Sequence, residues 1–231
     1  MADPRQIAAL ADNLACRRRL GLNLVAGSRG EMEQLLAAVM PASPRPRLSS
    51  LAEVRAWMGQ CTRCPLHQGR NKIVFGAGPE DAELMFIGEG PGQQEDRQGL
   101  PFVGPAGRLL EAMLAAVGLK RDEVYITNIV KCRPPGNRDP QAGEVAACRP
   151  FLEAQVKLIA PKAICALGRP AAQALLDSQA PIGRLRGRWA SALGVPVLPT
   201  YHPAYLLRSP EAKGMAYADL KALVRGPDAQ P

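Results

Sequence analysis

Downstream of residue 50, short apolar runs alternate with longer segments whose apolar residues recur at helical spacing. Four runs have the length and composition of buried strands: LMFIG at 84–88, VYITN at 124–128, AICALG at 163–168 and VPVLPT at 195–200. Between the first two runs, the apolar residues from Leu109 to Val117 follow a helical pattern that stops at Gly118. Strands separated by helices predict a short parallel sheet covered by helices on both faces, which is a three-layer α/β/α fold.

The remaining patterns complete the predicted organisation. EVAACRPFLEAQVKLIA at 144–160 is a helical pattern in which Pro150 either kinks one helix or begins a second. Residues 1–40 contain two further helical patterns, and the Pro-rich PASPRPRLSS at 41–50 is typical of a stiff linker. We therefore predict a helical extension over 1–40, a linker over 41–50, one α/β domain over 51–225 and a flexible tail over 226–231.

Three predicted loops carry the polar and glycine-rich stretches that follow strands. They are GEGPG at 88–92, NIVKCRPPGNR at 128–138 and YHPAYLLR at 201–208. In parallel sheets the functional groups gather in loops at the carboxyl ends of the strands, so these loops are the candidate site. GEGPG lacks the GKS or GKT ending of a nucleotide-binding P-loop, which excludes that function for it.

The charge balance suggests a partner. The chain has 29 Lys and Arg residues against 21 Asp and Glu residues, a formal net charge of +8. Such an excess favours a polyanionic partner such as nucleic acid. No apolar run approaches the ~18 residues of a membrane span, and the first residues lack the cationic-then-apolar order of a signal peptide. We therefore expect a soluble, cytoplasmic protein with no membrane partner.

Four of the six cysteines have a suggestive arrangement. Two form a C-x2-C pair and two follow far downstream: Cys61, Cys64, Cys132 and Cys148. Such a set can hold one metal centre, and the spacing fits zinc and an iron–sulfur cluster equally well. The alternative is a set of unrelated thiols. Cys165 lies within an apolar strand and is predicted to be core, and Cys16 in the extension has no predicted role.

Several of these motifs together resemble a known family. GEGPGQQED followed by GLPFVGPAGRLL, then TNIVKCRPPGNRDP and HPAYLLR, in this order with the four cysteines, resemble the family-four (iron–sulfur) uracil-DNA glycosylases. The resemblance covers about residues 55–224. It implies a compact α/β/α fold with a central parallel sheet and a [4Fe–4S] cluster on Cys61, Cys64, Cys132 and Cys148. It also implies a monomer that removes uracil from single- and double-stranded DNA during base excision repair.

The resemblance assigns residues to the uracil pocket. Asn128 would read uracil N3–H and O4 with its carboxamide, which offers an acceptor and two donors. Phe102 would stack under the flipped base, and Gly88 would let the main chain approach the pocket. His202 would donate to uracil O2, which a neutral imidazole can also do. The alternatives are a turn-forming Asn128, a core Phe102 and a His202 bonded only to the main chain, and His67 is predicted to be structural.

The catalytic carboxylate is less well defined by the motifs. Glu89 is the best-placed candidate for steering water or stabilising the cationic sugar, and Glu95 and Asp96 compete for that role. Family-one enzymes carry an aspartate where this chain has Gly90, so their route to water activation is absent here. They also carry a tyrosine, where this chain has Gly92, that excludes thymine. Glu95 is the candidate replacement for that second role.

The last motif predicts the contact with DNA. Leu206 and Leu207 are candidates for an apolar wedge that fills the space left by the flipped base, although one of them could belong to the core. Tyr205 and Arg208 would flank this wedge near the DNA backbone.

Two other functions are compatible with the motifs. One is a relative that crosslinks to the abasic sugar through a histidine in an inserted loop. The loop after CRPPGNRDP contains no histidine, which argues against it. The other is a catalytically silent iron–sulfur protein that binds DNA. This alternative predicts that the protein forms no abasic sites in uracil-containing DNA.

Overall fold

The computed structural model describes residues 46–227. The predicted helices of residues 1–40, most of the linker at 41–50, Cys16 and the last four residues of the tail lie outside the described residues.

A five-stranded sheet forms the centre of the described domain. In chain order its strands are β1 (Leu84–Gly88), β2 (Tyr125–Asn128), β3 (Ala163–Leu167), β4 (Ala190–Ala192) and β5 (Val195–Thr200). Their spatial order is β2-β1-β3-β5-β4. The first three pairs are parallel, and only β4 runs antiparallel to its neighbour β5. The four predicted strands are present, with β2 beginning one residue later and β3 ending one residue earlier than predicted.

The strand β4 was not predicted. It is three residues long and two of these are exposed, so it lacks the apolar run that marks the other strands. Leu193 and Gly194 join it to β5 with φ angles of 55° and 77°. Two successive residues with positive φ are typical of a tight hairpin turn. The central strands are parallel, as predicted, and β4 adds an antiparallel edge that the sequence pattern did not indicate.

Helices cover both faces of the sheet. They are α1 (Leu51–Met58), α2 (Gln93–Gln98), α3 (Pro105–Ala116), α4 (Ala142–Ile159), α5 (Arg169–Leu176), α6 (Ile182–Leu185), α7 (Pro203–Arg208) and α8 (Lys213–Arg225). Short 3₁₀ turns occupy Pro65–Gln68, Arg121–Glu123, Pro135–Asn137 and Pro210–Ala212. The pattern around Pro150 is one helix, α4, that continues through the proline. The stretch YHPAYLLR is largely the short helix α7.

The alternation of side chains along the strands divides the core in two. Met85 and Ile87 of β1 pack with α1, α4 and α5 on one face of the sheet. Phe86 points the other way and packs with α3 and α8, as does the fully buried Cys165 of β3. Successive strand residues point to opposite faces, so both layers draw on the same strands. The three-layer α/β/α prediction and the core position of Cys165 are confirmed. Over residues 46–227, every helix is too short or too polar to cross a bilayer.

Candidate active site

A cavity of about 400 Å³ opens where β1, β2 and β5 end. Its wall contains five of the residues singled out in the sequence: Glu89, Glu95, Phe102, Asn128 and His202. They come from four separate segments of the chain. The sheet brings these segments together because its parallel strands β1, β2 and β5 end at the same edge.

Asn128 ends β2 and is 1% exposed. Its Oδ1 is buried and accepts no hydrogen bond from any group in the described part of the chain. Gly88 of β1 pairs with Asn128 across the parallel ladder. A Cβ at Gly88 would lie 2.5 Å from Asn128 Oδ1 and 2.7 Å from Phe102 Cζ, so a side chain would displace both groups. The amide oxygen is therefore an open acceptor for an N–H group of a ligand.

Phe102 is held in an unusual main-chain conformation beside this amide. Its φ is 51°, in the left-handed region that non-glycine residues rarely adopt. Arg121 donates to the main-chain oxygen of Phe102 at 2.8 Å and to that of Pro101. Gly107 packs beneath this main chain, where a Cβ would lie 2.0 Å from the Phe102 oxygen. These contacts fix the ring, whose centroid lies 5.6 Å from that of His202.

Glu95 takes part in the same arrangement. Its Oε1 accepts hydrogen bonds from the main-chain N–H groups of Val103 at 2.9 Å and Gly104 at 2.8 Å. Its Oε2 faces Gly92, where a Cβ would lie 2.7 Å away. The carboxylate of Glu95 therefore anchors the loop that carries Phe102.

Asp96, the competing carboxylate, lies outside the wall of the cavity. It is 1% exposed and accepts hydrogen bonds from Asn71, including one from the main-chain N–H at 2.8 Å. These contacts give Asp96 a structural role, since they join α2 to the loop before β1.

His202 is a half-buried residue immediately before α7. Its Nδ1 accepts a hydrogen bond from the main-chain N–H of Ala204 at 3.1 Å, so the ring proton is on Nε2. Burial, and secondarily the cationic Arg208, lower the pKa of His202 to about 4. At neutral pH the residue is therefore a neutral imidazole with one free N–H donor. Gly168 allows this close packing, since a Cβ there would lie 2.8 Å from His202 Cβ.

Glu89 follows β1 and is half-buried in the wall of the cavity. Burial, and then the nearby carboxylate of Asp139, raise the pKa of Glu89 to about 7, while Arg169 acts in the opposite direction. Arg169 and Asp139 form an ion pair. Glu89 can therefore exchange a proton near neutral pH, which suits a group that acts as a base.

The helix α7 separates the two leucines of the predicted wedge. Leu206 is fully buried with Ala212 and Ala216, which places it in the core and corrects its assignment to the DNA contact. Leu207 is 46% exposed, and the exposed side chains of Tyr205 and Arg208 reach the rim of the cavity. Of the two candidate leucines, only Leu207 is exposed enough to act as the predicted wedge.

A second, small cavity lies among the four cysteines. Cys61, Cys64, Cys132 and Cys148 all line this space of about 20 Å³. They come from three segments that are far apart along the chain: the loop after α1, the loop after β2, and α4. Within residues 46–227, no three His, Cys, Asp or Glu side chains are grouped as ligands of a single ion. The four thiols from these three segments nevertheless line one common space.

Two features of the surroundings act on these thiols in opposite directions: a nearby cation favours thiolates, and burial favours protonated thiols. Arg70 donates to Cys132 Sγ at 3.4 Å and to the main-chain oxygen of Cys61 at 2.6 Å. Burial raises the pKa of the Cys148 thiol to about 11 and also raises that of Cys132. A bound metal removes such protons outright. His67 contacts the main-chain oxygen of Cys64 through Nδ1 at 2.8 Å, in line with its predicted structural role.

Some residues of the cavity were not individually predicted. Asn137, Arg138 and Asp139 form part of its wall, and Arg138 is fixed by two hydrogen bonds to Glu144 of 2.6 and 2.9 Å. Asn137 and Arg138 belong to the predicted site loop NIVKCRPPGNR, and Asp139 follows it in the motif TNIVKCRPPGNRDP, but the polar residues of this stretch were not ranked.

Comparison with known proteins gives consistent matches. A family model described as the uracil DNA glycosylase superfamily matches residues 75–221. The type-4 uracil-DNA glycosylase of Thermotoga maritima is 49% identical over 152 residues, or 65% of this chain and 79% of the relative. Those of Sulfurisphaera tokodaii and Archaeoglobus fulgidus are both 41% identical over 76% of this chain, covering 84% and 92% of the relatives.

Proposed function

Because the chain belongs to the uracil DNA glycosylase superfamily, we propose that it removes uracil from DNA and leaves an abasic site for base excision repair. Water adds to the sugar carbon as the N-glycosidic bond breaks, and uracil leaves with a proton. The base must first be flipped out of the stack into a pocket. The observation that carries the proposal is the unpaired, buried Asn128 Oδ1 beside Phe102 and His202.

Asn128 accounts for the choice of base. Its Oδ1 accepts from uracil N3–H while its Nδ2 donates to uracil O4. Cytosine presents an acceptor and a donor at the corresponding positions, so it meets Asn128 with the wrong pattern at both. Phe102 stacks on the flipped base, a contact worth ~1–3 kcal/mol where aromatic side chains stack on bases.

His202 stabilises the leaving group. Negative charge develops on uracil as the bond breaks, and the Nε2–H of a neutral imidazole donates to uracil O2. The hydrogen bond from Ala204 to Nδ1 fixes this tautomer before the base arrives. Such preorganised donors are usually the largest single contribution to catalysis of this kind.

Glu89 acts at the sugar. Its ionised carboxylate orients the attacking water and stabilises the positive charge that develops on the sugar ring. Glu95 positions the Phe102 loop through Val103 and Gly104. The resulting rigid wall beside Gly92 is our candidate for the group that excludes the methyl group of thymine.

Leu207, Tyr205 and Arg208 make the contact with duplex DNA. The exposed Leu207 fills the space left by the flipped base, and Arg208 approaches the phosphate backbone. We expect single-stranded DNA to be a substrate as well, since it has no stack to reopen. We also expect a cytoplasmic monomer.

The four cysteines would hold a [4Fe–4S] cluster. When bound, the cluster supplies a rigid cross-link between three segments of the chain. Cys132 is four residues beyond Asn128, so this cross-link would also restrain the loop that follows the base-reading residue. The cations Arg63 and Arg70 at the same cavity would balance the charge of the thiolates.

The test uses anaerobically purified full-length protein. It is incubated with uracil-containing single- and double-stranded oligonucleotides, and abasic sites are then cleaved with alkali. We expect cleavage at uracil and none at cytosine or thymine. A protein that binds the DNA but forms no abasic site would be the silent alternative, and this function would be wrong.

Iron content tests the cluster separately. We expect brown protein with broad absorbance near ~400 nm and about four iron atoms per chain, as four-cysteine ligation implies. Cys148→Ser should lower colour and soluble yield, whereas Cys165→Ser, at a cysteine outside the cavity, should leave the iron content unchanged. Folded, active protein without iron would contradict the cluster.

A further inference from the structure

The loop after β2 contains a buried ammonium group that the excision chemistry does not use. Lys131 is 1% exposed. Its Nζ donates to Thr127 Oγ1 at 2.5 Å, to the Asn128 main-chain oxygen at 2.9 Å and to Gln155 Oε1 at 2.7 Å. An ammonium has three N–H donors, so all of them are satisfied. All three acceptors, however, are neutral.

A buried charge needs a counter-charge as well as hydrogen bonds, because desolvation is costly. The anions available to Lys131 are thiolates. Lys131 lines the cysteine cavity together with Cys132 and Cys148. The main-chain N–H of Lys131 is also a hydrogen-bond donor to Cys148. The ammonium is therefore complementary to a loaded, anionic cysteine site.

The same ammonium is also in contact with the main chain of a residue that lines the larger cavity. It holds the main-chain oxygen of Asn128, whose side chain carries the open acceptor. The network also has a common acceptor in the loop before β1, since Thr127 Oγ1 and Gln155 Nε2 each donate to the main-chain oxygen of Phe75 at 2.9 Å. Gln155 also donates to the hydroxyl of Tyr125 at 3.1 Å. A shift of the Lys131 ammonium would therefore move the main chain of Asn128.

We propose that Lys131 is a positioning residue that couples the two sites: it is the buried counter-charge of the cysteine ligands and it fixes the main chain of Asn128. The proposal rests on the proposed function for its second half. Its first half concerns iron retention, which is measured without DNA.

The test compares variants of the loaded full-length protein. Lys131→Met removes the charge and the donors, while Lys131→Gln removes the charge and keeps donors. Lys162→Met is the matched control, because Lys162 is an exposed lysine paired with Glu83. Release of iron to an excess of chelator is followed by the loss of absorbance near ~400 nm. We expect both Lys131 variants to release iron about 10-fold faster or more, because loss of a residue that contacts metal ligands typically weakens metal binding by that factor. Lys162→Met should release iron at the wild-type rate.

Gln155 provides a second, milder comparison that does not depend on the folding of the Lys131 variants. Gln155→Glu gives the ammonium a carboxylate partner and so diverts its charge from the thiolates. Gln155→Met breaks the same network and leaves the ammonium positive. We expect faster iron release in Gln155→Glu than in Gln155→Met. A purely structural network predicts the reverse, since Met loses more hydrogen bonds, and that result would overturn the proposal.

The coupling to Asn128 is read from single-turnover kinetics. We expect Lys131→Met to lower the excision rate about 10-fold with little change in the dissociation constant for uracil-containing DNA. Equal weakening of binding and rate, or a wild-type rate, would contradict the positioning role. Wild-type protein that holds iron but excises no uracil would refute the proposed function alone, whereas wild-type protein without iron would overturn the counter-charge.

Discussion

The cavity at Asn128 and the cysteine cavity share one segment of chain, the loop after β2, but differ in construction. Asn128 faces the larger cavity of about 400 Å³ and Cys132 faces the smaller one of about 20 Å³. The larger cavity is open and contains an unpaired acceptor. The smaller one is lined by apolar side chains, by the cations Arg63, Arg70 and Lys131, and by thiols whose pKa burial raises. One is suited to a ligand that enters and leaves, and the other to a group that stays bound.

Burial disfavours the charged form of the titratable groups in both cavities, but the consequence for function differs. In the open cavity it keeps His202 neutral, with a pKa of about 4, and brings the pKa of Glu89 to about 7. Both groups are thereby in forms useful for catalysis near neutral pH. In the cysteine cavity burial favours protonated thiols, so an empty site is electrostatically mismatched with the buried Lys131. The first cavity therefore has its polar groups in place without a ligand, whereas the thiols of the second would become thiolates only when the proposed cluster binds.

The largest expected effect is at the open acceptor of Asn128. Asn128→Asp should lower the single-turnover rate on uracil by about 10³-fold or more, because an ionised carboxylate cannot donate to O4 and repels the developing anion. A weak gain on cytosine is expected from its N4–H donor. The melting temperature and iron content serve as controls and should stay close to those of the wild type. Wild-type activity would rule out Asn128 as the reader.

Each cavity has one histidine beside it, so a pair of histidine variants tests the two cavities separately. His202→Ala should lower the excision rate by about 10²-fold on every substrate, because one preorganised donor to O2 is lost, with little change in DNA binding. His67→Ala is the matched variant and should affect iron retention more than chemistry. An unimpaired His202→Ala enzyme would remove the central residue of the mechanism.

Glu89 provides a pH-dependent comparison. If its carboxylate orients water, the single-turnover rate should rise about 10-fold between pH 6 and 8, as the group ionises around a pKa of about 7. His202 stays neutral throughout this range because its pKa is about 4.

The neighbours of Glu89 make this prediction more specific. Asp139→Asn removes a negative neighbour and should lower the midpoint of the profile, and Arg169→Met should raise it. A profile that neither variant shifts would assign the ionisation to another group.

Much of this arrangement follows from local patterns in the sequence. Buried parallel strands read as continuous apolar runs, so the run at 84–88 coincides with β1. The resemblance to family four, based on three motifs and four cysteines, is confirmed by the matched relatives. The strand β4 was missed because three small, mostly exposed residues carry no such run. The continuity of α4 through Pro150 depends on packing against the sheet.

Other features depend on contacts between distant residues. Lys131 meets Gln155, which is 24 positions away, and Arg121 fixes Phe102 from 19 positions away. Neither pairing leaves a periodic pattern in the chain. The same applies to the two leucines of α7, whose adjacent positions differ completely in burial. Sequence therefore locates the loops of the site, and tertiary contacts decide the role of each side chain.

The smallest expected effect tests the rim of the open cavity. Leu207→Ala should lower the rate on double-stranded DNA about fivefold and leave single-stranded DNA unaffected, because only a duplex has a stack to be opened and refilled. Leu206→Ala is the matched variant. It deletes a fully buried side chain and should cost ~2–5 kcal/mol of stability, with similar rates on both substrates once folded protein is counted. The ratio of double- to single-strand rates decides between them. A reduced ratio in Leu206→Ala alone would show that the wedge is the inner leucine, and that α7 rearranges when it meets DNA.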